Sequence, residues 1–292
     1  MSLVAFFSPE SGAVDSDGEE SRGFVPTRYA ASLWAPSTLN GPAVCALAAR
    51  AAEDEFATTG FRTARFTIEL FKVARDTVTV TRGRLIRDGG RIKVAEVDIV
   101  QVVDGKEVIV ARSTTVFVRE STDPPGERWS RPADATRFRP PETDLDDHIP
   151  WYGTTSEHGG EIVWSRDMGA HQDARRKWLW TRAVSTVVGE DPTPFERAVI
   201  SGESTSLICN WGTAGIAFIN CDLTVALSRL PVGTRIGVEA ATHLETDGIS
   251  TSTANLYDVD GQFGVGMVTG VENTAATIDF TSVKPGERYA EG

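Results

Sequence analysis

A carboxylate interrupts an apolar helical stripe in the second half of the chain, within the segment Gly202-Glu203-Ser204-Thr205. Glu203 follows Val199 by four residues, so both lie on the helix face that the apolar spacing assigns to the interior. A buried carboxylate needs hydrogen-bond partners or a raised pKa. Glu203 is therefore a candidate general base, and the plain alternative is that it caps a neighbouring group or reaches solvent at a subunit edge.

Other polar residues could complete a site around this carboxylate. Ser204 and Thr205 place hydroxyl groups in mid-helix, where they either line a site or let the helix pack closely against a sheet. Asn220 and Asp222 share one face of a predicted strand, and Asp222 equally fits a solvent-facing position. The segment Asn40-Gly41-Pro42 begins another helix, whose free N–H groups either polarise a bound carbonyl group or serve only as a helix cap.

Motifs of other chemistries are missing from the sequence. It contains no GxSxG nucleophile elbow, no GxxxxGK[ST] phosphate loop and no HExxH metal motif. The histidines are scattered, and the sequence predicts no metal site and no cofactor. The formal net charge of −12 disfavours a nucleic-acid partner.

Composition also bears on location. No stretch approaches the ~18–20 uncharged apolar residues of a membrane span. Cys45, Cys209 and Cys221 have no CxxC spacing and resemble buried thiols in a reducing compartment. The N-terminus shows no signal-peptide pattern. We therefore expect a cytoplasmic protein.

The first half of the chain reads as one helix followed by four strands. Proline at the first helical position predicts a helix from Ala43 to about Phe56, and its small apolar residues on all sides indicate burial. The predicted strands are 62–71, 76–86, 91–103 and 106–118, with a strand-like stretch at 24–34 before the helix. Asp88-Gly89 and Asp104-Gly105 are typical of hairpin turns.

The second half repeats this order. Strand-like runs at 161–167 and 177–187 precede a helix from Pro194 to about Asn210, and four further runs follow at 217–230, 235–246, 249–259 and 262–271. Turns at Asp247-Gly248 and Asp260-Gly261 correspond to those of the first half. Matching landmarks at nearly one offset indicate an internal duplication.

The duplication predicts the fold class and the division of the chain. One buried helix with about five antiparallel strands suggests a sheet wrapped around its helix, and two such units give an α+β double hotdog. We expect a flexible acidic leader over 1–23, an N-terminal hotdog over 24–120, and a proline-rich linker over 121–160. A C-terminal hotdog over 161–275 and a tail over 276–292 complete the chain.

These residues resemble a known family. LNGPAVCALAARAAEDE, RTARFTIELFKVARDTVTV and RDGGRIKVAEVDIVQVVDGKEVIVARSTTVFV look like the N-terminal hotdog of the acyl-CoA thioesterase II (TesB-like) family. FERAVISGESTSLICNW, FINCDLTVALSRLPVG and NLYDVDGQFGVGMVTGV look like its C-terminal hotdog. The resemblance covers roughly residues 24–272.

The resemblance implies a site. The family uses an acidic residue in the second helix, a Thr-like residue on the next strand and a Gln on the last strand to orient water against a thioester. Glu203 stands at the position of the family's Asp, and Asn220 stands at the position of its Thr. The position of the Gln falls on Thr269 or on its inert neighbour Val268, so all three positions differ from the family pattern. Asn40, Gly41, Ser204 and Thr205 are the candidate substrate-binding residues.

The resemblance thus favours an acyl-CoA thioesterase that forms a free acid and CoA, with Glu203 as general base or nucleophile. It needs no cofactor, because a thioester is already activated. A non-catalytic acyl-CoA or lipid-binding protein is the main alternative, and a purely structural homo-oligomer is the third. We expect a homodimer or a higher homo-oligomer, since family members associate.

Overall fold

The structure is a computed structural model that describes residues 4–10, 23–132, 138–143, 145–156 and 160–282. Two α-helices occur within these ranges, α1 (Gly41–Phe56) and α2 (Pro194–Asn210). The strands of the first half are β1 (Ala5–Glu10), β2 (Gly23–Pro26), β3 (Phe61–Leu70), β4 (Thr79–Asp88), β5 (Ile92–Val103) and β6 (Lys106–Arg119). Those of the second half are β7 (Trp151–Thr155), β8 (Ile162–Ser165), β9 (Lys177–Arg182), β10 (Ser185–Val187), β11 (Trp211–Gly212), β12 (Gly215–Ile216), β13 (Phe218–Asn220), β14 (Asp222–Leu227), β15 (Arg235–Thr246), β16 (Ile249–Asp258) and β17 (Gly261–Glu272).

Helix α2 begins at the predicted Pro194, and α1 begins at Gly41, two residues before the predicted Ala43. Asn40 Oδ1 accepts a hydrogen bond of 2.8 Å from the N–H of Ala43, and Thr193 Oγ1 accepts one of 3.1 Å from Glu196. Each cap precedes a proline in the first turn, where no N–H is needed. Every side chain from Ala43 to Ala49 is buried, because α1 is enclosed by α2 and the sheet. The predicted burial of this helix is confirmed.

Fifteen strands in the described part of the chain join one sheet, ordered β10-β1-β2-β4-β5-β6-β3-β14-β17-β16-β15-β9-β7-β8, with β13 beside β17. The series β2-β4-β5-β6-β3 and β9-β15-β16-β17-β14 have the same internal order, with a helix after the first strand of each. The halves meet where β3 and β14 pair antiparallel, with Thr67 opposite Thr224. The strand order thus repeats between the halves.

The two helices run antiparallel against each other. The start of α1 at Gly41 contacts Glu203 late in α2, while Glu53 near the end of α1 accepts a hydrogen bond of 2.5 Å from Thr193 at the start of α2. The core therefore lies between these helices and the surrounding sheet, and each helix start faces the later part of the other helix.

The prediction of a flexible leader over residues 1–23 is wrong for residues 4–10. Residues 4–7 are buried, and β1 pairs in parallel with β10 and antiparallel with β2. The burial of Phe6 and Phe7 explains why this short segment joins the sheet despite the acidic stretch that follows. Residues 1–3 and 11–22 of the predicted leader lie outside the described residues.

The predicted linker and tail also need correction. Trp151–Thr155 forms β7, which pairs with β8 and β9, so the second half begins before residue 161. The described residues of 121–150 contain no helix or strand, as their proline content predicts. In the tail, Ile278 pairs with Ile216 and Phe280 is buried, so residues 276–282 belong to the folded body.

Phe138 anchors the linker on the outer side of the second half. Its ring stacks on Trp180 at a centroid distance of 5.5 Å and also contacts Trp164 and Tyr257. It is 8% exposed, whereas Trp129 in the same linker is 87% exposed. Over residues 121–150 the linker is therefore held by this aromatic side chain and by the contacts of Asp147 and Leu145 with Arg166 and Arg235, and not by regular backbone pairing.

We expect Phe138→Ala to lower the free energy of unfolding by about 3 kcal/mol, because it empties a packed aromatic position. Trp129→Ala is the matched control and should change it by less than about 0.5 kcal/mol. Chemical denaturation of both variants checks this. Equal effects of the two substitutions would contradict the anchoring role of Phe138.

Candidate functional site

Glu203 lies buried where the two helices cross. A Cβ atom at Gly41 would overlap Glu203 Oε1, so the absence of a side chain at Gly41 makes room for the carboxyl group. Asn220 Nδ2 donates to Oε1 at 3.4 Å, which is a long hydrogen bond. Within the described ranges, Asn220 is the one residue that donates a hydrogen bond to this carboxyl. The start of α1 and the end of β13 thus position Glu203.

Burial raises the pKa of Glu203 to about 8, because the carboxylate loses its hydration, and the Asn220 hydrogen bond offsets this only in part. At neutral pH the group is mainly protonated and can donate a hydrogen bond. Above pH 8 it is a carboxylate able to take a proton. Burial also raises the pKa of the Cys45 thiol, and the nearby charge of Glu203 adds to that effect. Cys45 is therefore held as an inert thiol beside the site.

Asn220 reaches Glu203 because the strand breaks beside it. Cys221 separates β13 from β14, and Asn220 Nδ2 also donates to the carbonyl oxygen of Asp222 at 3.2 Å. Asp222 uses its carboxylate to accept a hydrogen bond of 2.5 Å from the N–H of Thr269. Asp222 thus holds β17 beside β14, and its carboxylate is not part of the Glu203–Asn220 contact.

The structure does not bring Thr269 to Glu203. The side chain of Thr269 is half-buried and takes no part in the cavity wall that the described residues form. Val268 is fully buried on the alternate face of β17 and is apolar. Strand alternation explains this outcome, since one residue of register decides which face a side chain occupies. The predicted third catalytic position therefore has no polar side chain at the site.

Of the candidate substrate-binding residues, three line the cavity and one does not. Asn40, Gly41 and Ser204 line the cavity that Glu203 faces. Asn40 also caps α1 and donates to the carbonyl oxygen of Tyr29 at 2.9 Å, so its amide is engaged in the fold. Thr205 is fully buried and donates to Gly202 O at 2.7 Å, away from the cavity wall. Thr205 therefore serves the packing of α2 against the sheet.

The cavity has a volume of about 1060 Å³ and is mainly apolar. Sequence reasoning missed most of its wall, which comes from irregular segments without a periodic signal. Three cations lie among these residues. The missed residues include Arg28, Trp34, Lys72, Arg182, Leu207, Ile216, Ile219, Ile278 and Phe280. A space of this size and character suits a long, mostly apolar ligand.

The equivalent place in the other half of the fold is filled. Beside the start of α2, the Thr193 hydroxyl binds Glu53, and Arg50 forms an ion pair with Glu190. Burial raises the pKa of Glu196 there to about 7, and Thr186 Oγ1 donates to it at 2.8 Å. The nearby cavity measures only about 210 Å³. The structure therefore presents a large open cavity at Glu203 and a small one beside the start of α2.

The described residues contain no group of three or more His, Cys, Asp and Glu side chains arranged to hold a metal ion. In the same ranges, no helix combines the length and the apolar character needed to cross a membrane.

Residues 132–266 match the sequence model of the acyl-CoA thioesterase C-terminal domain. Among curated protein sequences, none is significantly similar to this chain. A hot dog fold protein of unknown function from Alicyclobacillus acidocaldarius is similar at a TM-score of 0.62 and 14% identity, covering 90% of this chain and 96% of that one.

Two further solved structures are similar over most of their length. The tesB protein of Mycobacterium avium subs paratuberculosis gives a TM-score of 0.58 at 12% identity, covering 86% of this chain and 92% of that one. Acyl-CoA thioesterase II TesB2 of Mycobacterium marinum gives 0.54 at 13% identity, covering 80% and 88%. At such identities the likeness concerns the fold. The resemblance to the acyl-CoA thioesterase II family is confirmed by the match of residues 132–266 to its C-terminal domain and by the hotdog fold.

Proposed function

We propose that this protein hydrolyses acyl-CoA thioesters to a free acid and CoA. One observation carries the proposal: the buried carboxyl of Glu203, hydrogen-bonded by Asn220, faces a mainly apolar cavity of about 1060 Å³. An ionisable group that burial holds near neutral pH, in a cavity able to take a long ligand, is typical of a catalytic acid or base. The match to an acyl-CoA thioesterase domain supports the choice of substrate.

The proposed reaction begins with ionised Glu203. The carboxylate removes a proton from a water molecule, whose oxygen attacks the carbonyl carbon of the thioester. The positive end of the α1 dipole stabilises the negative charge that develops on the carbonyl oxygen. The C–S bond then breaks, and the proton held by Glu203 passes to the CoA sulfur. Asn220 orients the carboxyl throughout by its amide hydrogen bond.

We also propose that the chain is a double hotdog made by duplication. The repeated strand order and the equivalent helix positions support this organisation. The homo-oligomeric assembly and the cytoplasmic location predicted from the sequence stay predictions.

A non-catalytic acyl-CoA or lipid-binding role is the second candidate. It is favoured because neither Val268 nor Thr269 contributes a side chain to the cavity wall that the described residues form. Hydrolysis assays with acyl-CoA esters from short to long chains separate the two candidates. Binding without any hydrolysis would establish the second one.

We expect Glu203→Gln to keep the fold and to lower acyl-CoA hydrolysis by at least about 10²-fold, because a positioned general base is lost. Glu196→Gln is the matched control, since it replaces another buried glutamate of α2 that contacts Thr186 outside the cavity. Steady-state kinetics check both variants. Undiminished turnover in Glu203→Gln would refute the proposed base.

The rate of hydrolysis should depend on pH in a defined direction. Because the pKa of Glu203 is about 8 and the carboxylate is the active form, kcat/KM should rise about tenfold per pH unit below 8 and then level off. A pH–rate profile with one substrate measures this. A profile that falls between pH 6 and 8 would show that the protonated form is the active one.

The contribution of Glu203 to the stability of the protein should fall as the pH rises, whereas the rate of hydrolysis should increase. The pKa of Glu203 is about 8 in the folded state against an ordinary value of 4.5, so the folded state retains a proton that the unfolded chain releases between these values. Stability from this group is full below pH 4.5 and is lost as the pH rises towards 8. Glu203→Gln lacks this dependence. We therefore expect the melting temperature of Glu203→Gln to increase relative to that of the wild type between pH 5 and pH 9. A difference between the two melting temperatures that does not change with pH would contradict the raised pKa.

A further inference from the structure

The C-terminal strap, which we define as residues 273–282, is pinned to the fold at several points. The backbones of Ile216 and Ile278 exchange two hydrogen bonds of 3.0 Å. Gln172 donates to Asp279 Oδ1 at 3.0 Å and accepts from the N–H of Phe280 at 2.8 Å. The strap is thus an ordered part of the fold.

A close backbone approach fixes the position of the strap. Gly215 has a φ of +96°, and a Cβ atom there would overlap the carbonyl oxygen of Ile278. Only glycine satisfies both the dihedral angle and the approach. The ring of Phe280 packs edge-on against Trp211 at 4.9 Å between centroids. The strap is therefore held by its backbone and by Phe280, in addition to the packing of the Ile278 side chain against the core.

The side chains of this strap close part of the cavity. Ala276, Ile278, Phe280 and Ser282 belong to its wall. The Ile278 side chain is half-buried and apolar, so a change there alters the space while the paired backbone stays in place.

The cavity wall differs along its length in exposure and charge. Leu33, Phe71 and Val73 are 46%, 52% and 57% exposed, and the exposed cations Arg28 and Lys72 lie in the same two loops. These loops form the entrance. Towards the strap the wall includes the buried and mainly apolar side chains of Tyr152, Met168, Leu179, Ile216 and Phe280. An anionic carrier group fits the entrance, and a hydrocarbon chain fits the space beside the strap.

We propose that Ile278 of the C-terminal strap is the wall against which the acyl chain ends, so that this residue sets the preferred chain length. The inference rests on the proposed function for the choice of an acyl-CoA ligand. It assigns to one residue a role in specificity that is separate from the chemistry at Glu203.

The experiment measures binding without hydrolysis. S-alkyl-CoA thioethers of increasing chain length are titrated into the wild type, Ile278→Ala, Ile278→Trp and Ile162→Ala by calorimetry. In the wild type, affinity should rise about fourfold with each added methylene until the chain reaches the wall, and then stop rising. Ile162 is a matched control because it is half-buried and lies outside this cavity.

Ile278→Ala removes three carbon atoms from the wall, so the limit should move to chains about two to three carbons longer. Ile278→Trp should move it to shorter chains, and Ile162→Ala should leave it unchanged. The same limit in all four proteins would overturn the proposal, as would a wild type that binds no thioether of any length. A shifted limit in a protein that hydrolyses no acyl-CoA would support the role of Ile278 while refuting the proposed function.

Discussion

The contact between Glu203 and the start of α1 at Gly41 is the constraint on which the site depends. A carboxyl group can lie there only because Gly41 has no side chain, and the antiparallel packing of the two helices brings that position to the later part of α2. Burial then raises the pKa of Glu203, which places its ionisation in the range useful for catalysis. The packing of the two helices thus sets the environment of the proposed base.

The same pair of helices makes a second contact at the start of α2, with a different consequence. At the start of α2, Pro194 takes the position that Gly41 has in α1. The hydroxyl of the preceding Thr193 donates a hydrogen bond to Glu53 and fills the space between the helices. Glu196, which accepts a hydrogen bond from Thr186, and Arg50, which pairs with Glu190 and Asp54, occupy the surrounding space. The two halves therefore share one strand order, and side-chain size and pairing decide which helix start lies beside an open cavity.

The sequence predicted the helices and most strands because apolar periodicity and proline caps are local signals. Glu203 was identified because it breaks that periodicity, and Asn220 followed from the resemblance. β1, β7 and the strap were missed because their aromatic and apolar residues are few and adjoin acidic or proline-rich stretches. Thr269 was misplaced because one residue of strand register moves a side chain to the other face. The cavity wall depends on tertiary packing of irregular segments, for which no sequence period exists.

The burial of Glu203 affects both the ionised fraction and the base strength that its proposed role requires. A pKa of about 8 leaves roughly one tenth of the molecules ionised at pH 7. The carboxylate that does form is a stronger base than one in water, because the cavity hydrates it poorly. A shallower position would increase the ionised fraction and weaken the base, whereas a deeper one would do the reverse. Asn220 adjusts this balance, since its hydrogen bond lowers the pKa of Glu203. The Glu203–Asn220 pair therefore tunes basicity as well as geometry.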